Sequence, residues 1–217
     1  MSIKGADIRN IAVIGHSGEG KTSVCEAILF NGKATDRLGK VTEGTTVTDS
    51  DEQEIARKMS ISLGVAYAMW EGVKLNLLDV PGFYDFEGEE NEALRAAGGA
   101  LIVTGATGTL SVGAEKAIDK CLKNKIPMVV FINGVDKENA DYAGTVAALK
   151  QKYAGKIAPI QIPLMEGNKM VGYVNALKET CYHFADEAKK QPVPIPEELK
   201  GTLAEMQASL TETAAEN

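Results

Sequence analysis

The pattern of apolar and polar positions divides roughly the first 155 residues into strands that alternate with helices. Residues 8–14 form a largely apolar run, as expected of a strand buried in a parallel sheet. A helix is predicted from Lys21 to about Asn31-Gly32, because Asn and Gly often end a helix. Further strands are predicted at residues 62–70, 73–80, 99–106 and 127–134, and further helices at 88–97, 112–124 and 142–153. This alternation predicts an α/β fold, with a mostly parallel sheet and helices on both faces.

Two features interrupt the alternation. Residues 33–60 contain few large apolar side chains, so we expect a long irregular connection, which is usually functional or mobile. The strands at 62–70 and 73–80 flank Glu71-Gly72, a turn pair that would join them as an antiparallel hairpin.

After about residue 154 the pattern changes to strands without intervening helices. Strands are predicted over residues 157–165 and 169–177, with a third candidate over 178–185. A helix is expected from Glu197, after a proline cluster. We therefore predict one domain over residues 1–155 and a small α+β appendage over residues 156–217.

Composition narrows the possible partners and the compartment. The chain has 217 residues and a net charge of −7, which argues against nucleic-acid binding by bulk electrostatics. Cys25, Cys121 and Cys181 show no paired spacing, which is typical of reduced thiols in a cytoplasmic protein. The N-terminus has no signal-peptide pattern, and no apolar run is long enough to span a bilayer, so no membrane partner is expected.

The most specific motif is GHSGEGKT, which lies between the first strand and the first helix. Its glycines let backbone N–H groups converge on anionic oxygens, and the helix adds the positive end of its dipole. Lys21 is expected to reach the β- and γ-phosphates, and Thr22 to offer its hydroxyl to Mg²⁺. The motif predicts a P-loop nucleotide hydrolase fold. The expected nucleotide-binding residues are Gly15, His16, Ser17, Gly18, Glu19, Gly20, Lys21, Thr22 and Ser23.

Two further segments are candidates for the metal and the γ-phosphate. Asp79, which ends the third strand, can hold Mg²⁺ through a water, and Gly82 lets a backbone N–H approach the γ-phosphate. The Thr and Ser residues between positions 42 and 62 are candidates for a switch hydroxyl that completes the Mg²⁺ coordination, and Ser60 is our choice among them. Taken alone, DxPG is equally a strand-to-turn segment, and Ser60 is more readily a strand-edge hydroxyl.

Asn133 and Asp136, after a buried strand, suggest a base-recognition element. A carboxylate there can accept both hydrogen bonds from the N1–H and 2-amino groups of guanine, which adenine cannot provide. An Asn-Gly turn with a capping Asp is the competing interpretation.

The motifs GHSGEGKT, DEQEIARKMSIS, DVPGFYDFEGE, ALIVTGATGTLSVGAEK and FINGVD occur in this order, and with them the chain resembles a translational GTPase. It most closely resembles elongation factor G and its bacterial elongation factor G-like relatives. From residue 157 it is similar to the insertion subdomain of that factor. We therefore expect a fragment that ends inside the insertion, with the last part of the GTP-binding domain lacking.

The resemblance implies a cytoplasmic switch that acts on the ribosome, binds GTP or GDP with Mg²⁺, and hydrolyses GTP. By matched position it implies roles for Lys21 and Gly82 in catalysis, and for Thr22, Ser60 and Asp79 at the metal. Three residues depart from the family pattern. Phe83 replaces the water-positioning His, Gly134 replaces the Lys that covers the guanine face, and Ser60 replaces the switch Thr. Because Phe83 cannot hydrogen-bond a water, we expect slow hydrolysis without a partner.

Two other functions remain open from the sequence. One is a GTP-binding regulatory switch with little or no hydrolysis. The other is a P-loop ATPase, which the FINGVD segment disfavours.

Overall fold

The computed structural model describes residues 3–167, 169–185 and 191–216. Contacts divide the chain into two units, which are described separately. The first unit comprises Met1–Gly105 and Ser111–Asn133, and the second comprises Ala106–Leu110 and Gly134–Asn217. The division that we predict at residue 155 remains a prediction.

A five-stranded sheet in the order β2-β3-β1-β4-β5 forms the centre of the first unit. Its strands are β1 (Ile8–Gly15), β2 (Gly64–Trp70), β3 (Val73–Asp79), β4 (Gly99–Gly105) and β5 (Met128–Asn133). Strand β1 is parallel to both β3 and β4, and β4 is parallel to β5. Only β2 is antiparallel, and it pairs with β3 through the turn at Glu71 and Gly72. The mostly parallel sheet and its hairpin are therefore confirmed.

Helices cover the sheet because successive side chains of its buried strands point to opposite faces and are apolar on both. The helices of the first unit are α1 (Lys21–Asn31), α2 (Glu52–Arg57), α3 (Glu87–Ala96) and α4 (Val112–Asn124). On one face, Val13, Leu77 and Val103 pack against Cys25 and Leu29 of α1. The next residues along the strands, including Ile14 and Ile102, point to the opposite face and are also fully buried. Helices α3 and α4 both contact β1, and α4 also contacts β4.

The prediction that residues 33–60 are irregular is wrong at α2. Asp51 caps this helix through the backbone N–H of Gln53, and the Glu54 carboxylate accepts the Asp51 N–H in return. The residues of this capping box have the spacing of the motif in the sequence. The helix is nevertheless not predicted, because it has only six residues and no apolar period.

The second unit combines helices with a small antiparallel sheet. Its elements are α5 (Tyr142–Lys152), β6 (Gln161–Glu166), β7 (Lys169–Asn175), β8 (Thr180–His183) and α6 (Glu197–Glu216). The strands are ordered β6-β7-β8, and both pairs are antiparallel. Leu164, Val174 and Cys181 of the sheet pack against Leu203 and Met206 of α6. The third strand, predicted over residues 178–185, is shorter than expected. The observed strand β8 comprises only Thr180–His183.

None of the helices within residues 3–167, 169–185 and 191–216 combines the length and the apolar character needed to cross a membrane.

Candidate nucleotide site

The loop between β1 and α1 has the backbone conformation that its glycines permit. Gly18 and Gly20 have φ values of 80° and 91°, in the left-handed region. A Cβ built at Gly20 would overlap the Asn133 side-chain amide, so a larger residue does not fit there. The His16 N–H donates to Glu19 Oε2 at 3.1 Å, which closes the loop on itself. Because α1 begins at Lys21, directly after the loop, its free N–H groups can bind an anion.

Lys21 is the cation of this loop. It is only 6% exposed, and its Nζ donates to the His16 carbonyl at 2.9 Å. Burial lowers the pKa of Lys21, and the carboxylates of Asp79 and Glu19 oppose that shift. One donor of the ammonium is thus used by the loop, and the others remain available to a ligand.

Asn133, at the end of β5, is hydrogen-bonded to the loop. Its Nδ2 donates to the Glu19 carbonyl at 2.8 Å, and the two residues are 114 positions apart in the sequence. Asn133 therefore fixes the position of the loop relative to the sheet.

The two predicted metal-binding hydroxyls lie side by side. Thr22 Oγ1 is 3.2 Å from Ser60 Oγ, and Ser60 Oγ donates to Asp49 Oδ1 at 2.7 Å. Asp49 is only 4% exposed, and burial raises its pKa. Nothing in the sequence of residues 33–60 distinguishes Asp49 from the other carboxylates, so its position beside these hydroxyls is not predictable from the sequence.

Asp79, the third predicted metal residue, is a buried carboxylate at the end of β3. Thr48 Oγ1 donates to its Oδ2 at 2.6 Å, whereas its Oδ1 is buried and lacks a hydrogen-bond partner among the described residues. Burial raises the pKa of Asp79 to about 6, although the Thr48 hydroxyl bond acts in the opposite direction. An unsatisfied buried oxygen of this kind suits a cation or an ordered water. Thr48 belongs to the hydroxyls considered from the sequence, but Ser60 was preferred to it.

Gly82 lies against the loop between β1 and α1. A Cβ built there would overlap Lys21 Nζ and lie 2.6 Å from the Ser17 backbone nitrogen. The next residue, Phe83, lines the cavity beside the loop and is 42% exposed. The Tyr84 ring instead faces His16, with ring centroids 6.0 Å apart. The two neighbouring aromatic rings therefore point to different surroundings.

The cavity beside the loop has a volume of about 350 Å³. Its wall includes the predicted residues Lys21, Thr22, Ser60, Gly82 and Phe83. These residues come from separate stretches of the chain, and the fold brings them together. The cavity is within the size range of small-molecule sites.

A buried carboxylate that the sequence analysis missed anchors the segment next to the cavity. Glu26 of α1 is 1% exposed, and its two oxygens accept the N–H groups of Val47 at 2.6 Å and Gly39 at 3.2 Å. On a helix surface a lone Glu is usually solvated, so the sequence contains no signal for this role.

The remaining base-recognition candidates belong to the second unit. Asp136 is exposed there. Gly134 has a φ of 72°, and a side chain placed on it would meet the stem of Lys137, whose Cε would lie 3.0 Å from the new Cβ. The Lys137 methylenes thus fill the volume beside Gly134. The base-binding role of Asp136 remains a prediction.

Comparisons with known proteins identify the family. A sequence model of the elongation factor Tu GTP binding domain matches residues 6–212, and the chain belongs to this family. An elongation factor G-like protein of Mycobacterium tuberculosis is 35% identical over 204 residues, which is 91% of this chain and 28% of that protein. Elongation factor G of Mycoplasma pneumoniae is 31% identical over 211 residues, 96% of this chain and 31% of the factor.

A solved structure supports the same relationship. A crystal structure of a protein from Thermus thermophilus has a TM-score of 0.87 and 33% identity, and covers 96% of this chain and 31% of that one. The resemblance to elongation factor G-like proteins is therefore confirmed. The chain spans less than a third of the length of these relatives.

Proposed function

We propose that this GTP-binding domain binds GTP and GDP together with Mg²⁺ and hydrolyses GTP slowly when it acts alone. One observation carries the proposal. The hydroxyls of Thr22 and Ser60 lie 3.2 Å apart where the phosphate-binding loop meets α1. A phosphate loop and two converging hydroxyls are the elements that hold a magnesium-bound triphosphate in P-loop hydrolases.

The residues present fit Mg²⁺. This ion prefers hard oxygen ligands and is usually bound by one or two carboxylates, waters and substrate phosphates. The hydroxyls of Thr22 and Ser60 are donors of this kind, as is Asp79 Oδ1, which has no hydrogen-bond partner in the part of the chain that the structure describes. Within the described residues, no group of three or more His, Cys, Asp or Glu side chains could hold a metal unaided. We infer that phosphate oxygens complete the site, where Mg²⁺ would neutralise part of their charge.

The protein's own groups would position the phosphates. The N–H groups of the loop and the ammonium of Lys21 would hold the β- and γ-phosphates. The Gly82 backbone, which already lies against Ser17 and Lys21, would approach the γ-phosphate. Phe83 lines the cavity with a phenyl ring, which neither donates nor accepts a hydrogen bond. We therefore propose that water is poorly oriented in the isolated domain and that hydrolysis needs a partner.

Base selection and biological context extend the proposal. We propose that Asp136 accepts the N1–H and 2-amino groups of guanine, and that Asn133 supports this element by fixing the loop. The similarity to elongation factor G supports the ribosome as the partner of the full-length protein and the cytoplasm as its location. With a net charge of −7, this domain alone is not expected to bind nucleic acid directly.

The metal-binding hydroxyls provide the test. Binding of a fluorescent GTP analogue is measured with Mg²⁺ and with excess chelator, for the natural chain and for Thr22→Ala. We expect tight binding only with Mg²⁺ in the natural chain, and loss of this difference in the variant. Thr202→Ala, at an exposed threonine of α6, is the matched control and should behave as the natural chain does. Equal affinity with Mg²⁺ and chelator in the natural chain would contradict the proposed metal site.

A further inference from the structure

Two basic residues besides Lys21 line the cavity, although the chain as a whole is acidic. They are Arg57 and Lys58, and Asp49 is the only acidic residue in the wall among the described residues. Both basic side chains are exposed, and neither forms a hydrogen bond or ion pair with any described residue. The wall therefore has an excess of positive charge, whereas the chain has a net charge of −7. Such local charge concentrates anionic ligands.

The end of α2 places Lys58 close to the predicted metal-binding hydroxyls. Lys58 is the C-cap of α2, with φ 55° and ψ 42°, and its N–H bonds to the carbonyls of Glu54 and Ile55. Ser60 follows two residues later, and two residues span at most about 7 Å. Because Ser60 Oγ lies 3.2 Å from Thr22 Oγ1, the flexible stem of Lys58 starts near the point where the phosphates would meet the metal.

The site has few other charges to offer a terminal phosphate. Lys21 is buried, donates one hydrogen bond to the His16 carbonyl at 2.9 Å, and would share its remaining donors between the β- and γ-phosphates. Phe83, which lines the same cavity, has no polar group. A triphosphate carries one more phosphate than a diphosphate, so additional positive charge at this end of the cavity would favour the triphosphate.

We propose that Lys58 binds the terminal phosphate of GTP and makes the site favour GTP over GDP. This inference rests on the proposed function, and it names a specificity-determining residue of the same site. Lys58 acts as a mobile ammonium that pairs with the γ-phosphate oxygens, and no corresponding group exists in GDP for it to pair with.

A second lysine in the same backbone setting supplies a matched control. Lys125 is the C-cap of α4, with φ 55° and ψ 39°, but it does not line the cavity. A cation at a helix C-terminus is favourable in itself, which is a sufficient reason for Lys125. The two lysines share this helix-end position, and only Lys58 is also in the cavity wall.

The test compares Lys58→Gly with Lys125→Gly. Dissociation constants for GDP and for a non-hydrolysable GTP analogue are measured with Mg²⁺, and thermal unfolding is recorded for each protein. Glycine favours the left-handed conformation at both positions, so neither variant should unfold at a lower temperature. We expect Lys58→Gly to weaken binding of the GTP analogue by about tenfold and binding of GDP by less than about twofold. Lys125→Gly should leave both constants unchanged, and Lys58→Arg should retain the preference for the triphosphate.

The outcomes separate the two proposals. If the natural chain binds both nucleotides and Lys58→Gly leaves their affinity ratio unchanged, the role of Lys58 is wrong and the proposed function stands. The role is also wrong if Arg57→Ala reduces the ratio and Lys58→Gly does not. If the natural chain binds neither nucleotide, the proposed function fails, and the role of Lys58 fails with it.

Discussion

At the scale of single residues, Phe83 is the substitution with the clearest chemical consequence. Its ring lines the cavity and is 42% exposed, in the position where the family resemblance implies a histidine. Tyr84 has a hydroxyl, but its ring faces His16, and Lys116 Nζ lies 4.2 Å from the ring centroid. Tyr84 therefore does not replace the missing hydrogen-bonding group in this arrangement.

Phe83→His should accelerate GTP hydrolysis in single-turnover assays. An imidazole at this position can hydrogen-bond the attacking water, and positioned groups of this kind contribute about 10²–10⁴-fold to rates. Tyr84→His is the matched control and should have little effect, because that side chain lies outside the cavity wall. If the natural chain already hydrolyses GTP as fast as Phe83→His does, the deficit assigned to Phe83 is wrong.

The raised pKa of Asp79 predicts that a lower pH weakens magnesium-dependent nucleotide binding but stabilises the free protein. Protonated Asp79 cannot attract a cation, so the magnesium-dependent part of the GDP affinity should fall as the pH drops below about 6. At pH 5 the loss should be about tenfold relative to pH 7. Titrations at several pH values, with and without chelator, measure this effect. Asp79→Asn should weaken binding and remove its pH dependence over this range.

In the free protein the sign reverses. Folding raises the Asp79 pKa from 3.8 to about 6, so the folded state binds this proton more tightly than the unfolded state does. The contribution of Asp79 to stability is therefore present below about pH 4 and is lost as the pH rises through a window that ends at about pH 6. The difference in free energy of unfolding between the natural chain and Asp79→Asn isolates it. A difference that stays constant between about pH 4 and about pH 6, the limits of that window, would contradict the assignment.

At the scale of elements, the segment after α1 is fixed by carboxylates that accept backbone N–H groups. Glu26 binds Gly39 and Val47, and Glu54 accepts the N–H groups of Ile61 at 2.9 Å and Ser62 at 3.1 Å. These bonds hold the residues on either side of Thr48 and Asp49 in place. The position of the candidate metal residues thus depends on acceptors that lie outside the cavity wall.

Glu26→Leu should release this segment. The substitution leaves two backbone N–H donors without an acceptor, which costs about 1–3 kcal/mol for each donor that stays buried. Trypsin should then cleave faster at Lys33, Arg37 or Lys40, with about tenfold acceleration expected if the segment opens locally. Glu43→Leu, at an exposed carboxylate that pairs with Lys40, is the control. Equal cleavage rates in both variants would show that Glu26 does not anchor the segment.

The sequence predicts the regular elements better than the contacts between them. The sequence places α1 and α4 at the observed bounds: α1 follows the P-loop and ends at the Asn31-Gly32 signal, and α4 has a clear apolar period. It misses α2, which is short and is defined by a cap. The P-loop residues are readable because they are contiguous. The roles of Glu26 and Thr48 are not, because each depends on a partner that is distant in the sequence.

At the scale of the whole molecule, the strand order explains why distant motifs form one site. Strand β1 lies between β3 and β4, so the loops that follow β1 and β3 leave from the same edge of the sheet. Ligands of parallel α/β sheets bind at the carboxyl ends of the strands. The loop after β1, which we propose binds the phosphates, lies at that edge, as do Asp79 at the end of β3 and Gly82 just beyond it. Sequence order alone does not determine this adjacency.

Above all, we propose that this site binds guanine nucleotides with Mg²⁺, and nucleotide competition tests that proposal most directly. Fluorescent GDP is bound to the natural chain in the presence of Mg²⁺ and is then displaced by unlabelled GTP, GDP or ATP, with Lys21→Ala as the binding-deficient reference. We predict displacement by GTP and GDP, little displacement by ATP at equal concentration, and greatly weakened binding of the label to Lys21→Ala. Displacement by ATP as effective as that by GTP would contradict the guanine assignment, and unchanged binding to Lys21→Ala would contradict the site itself.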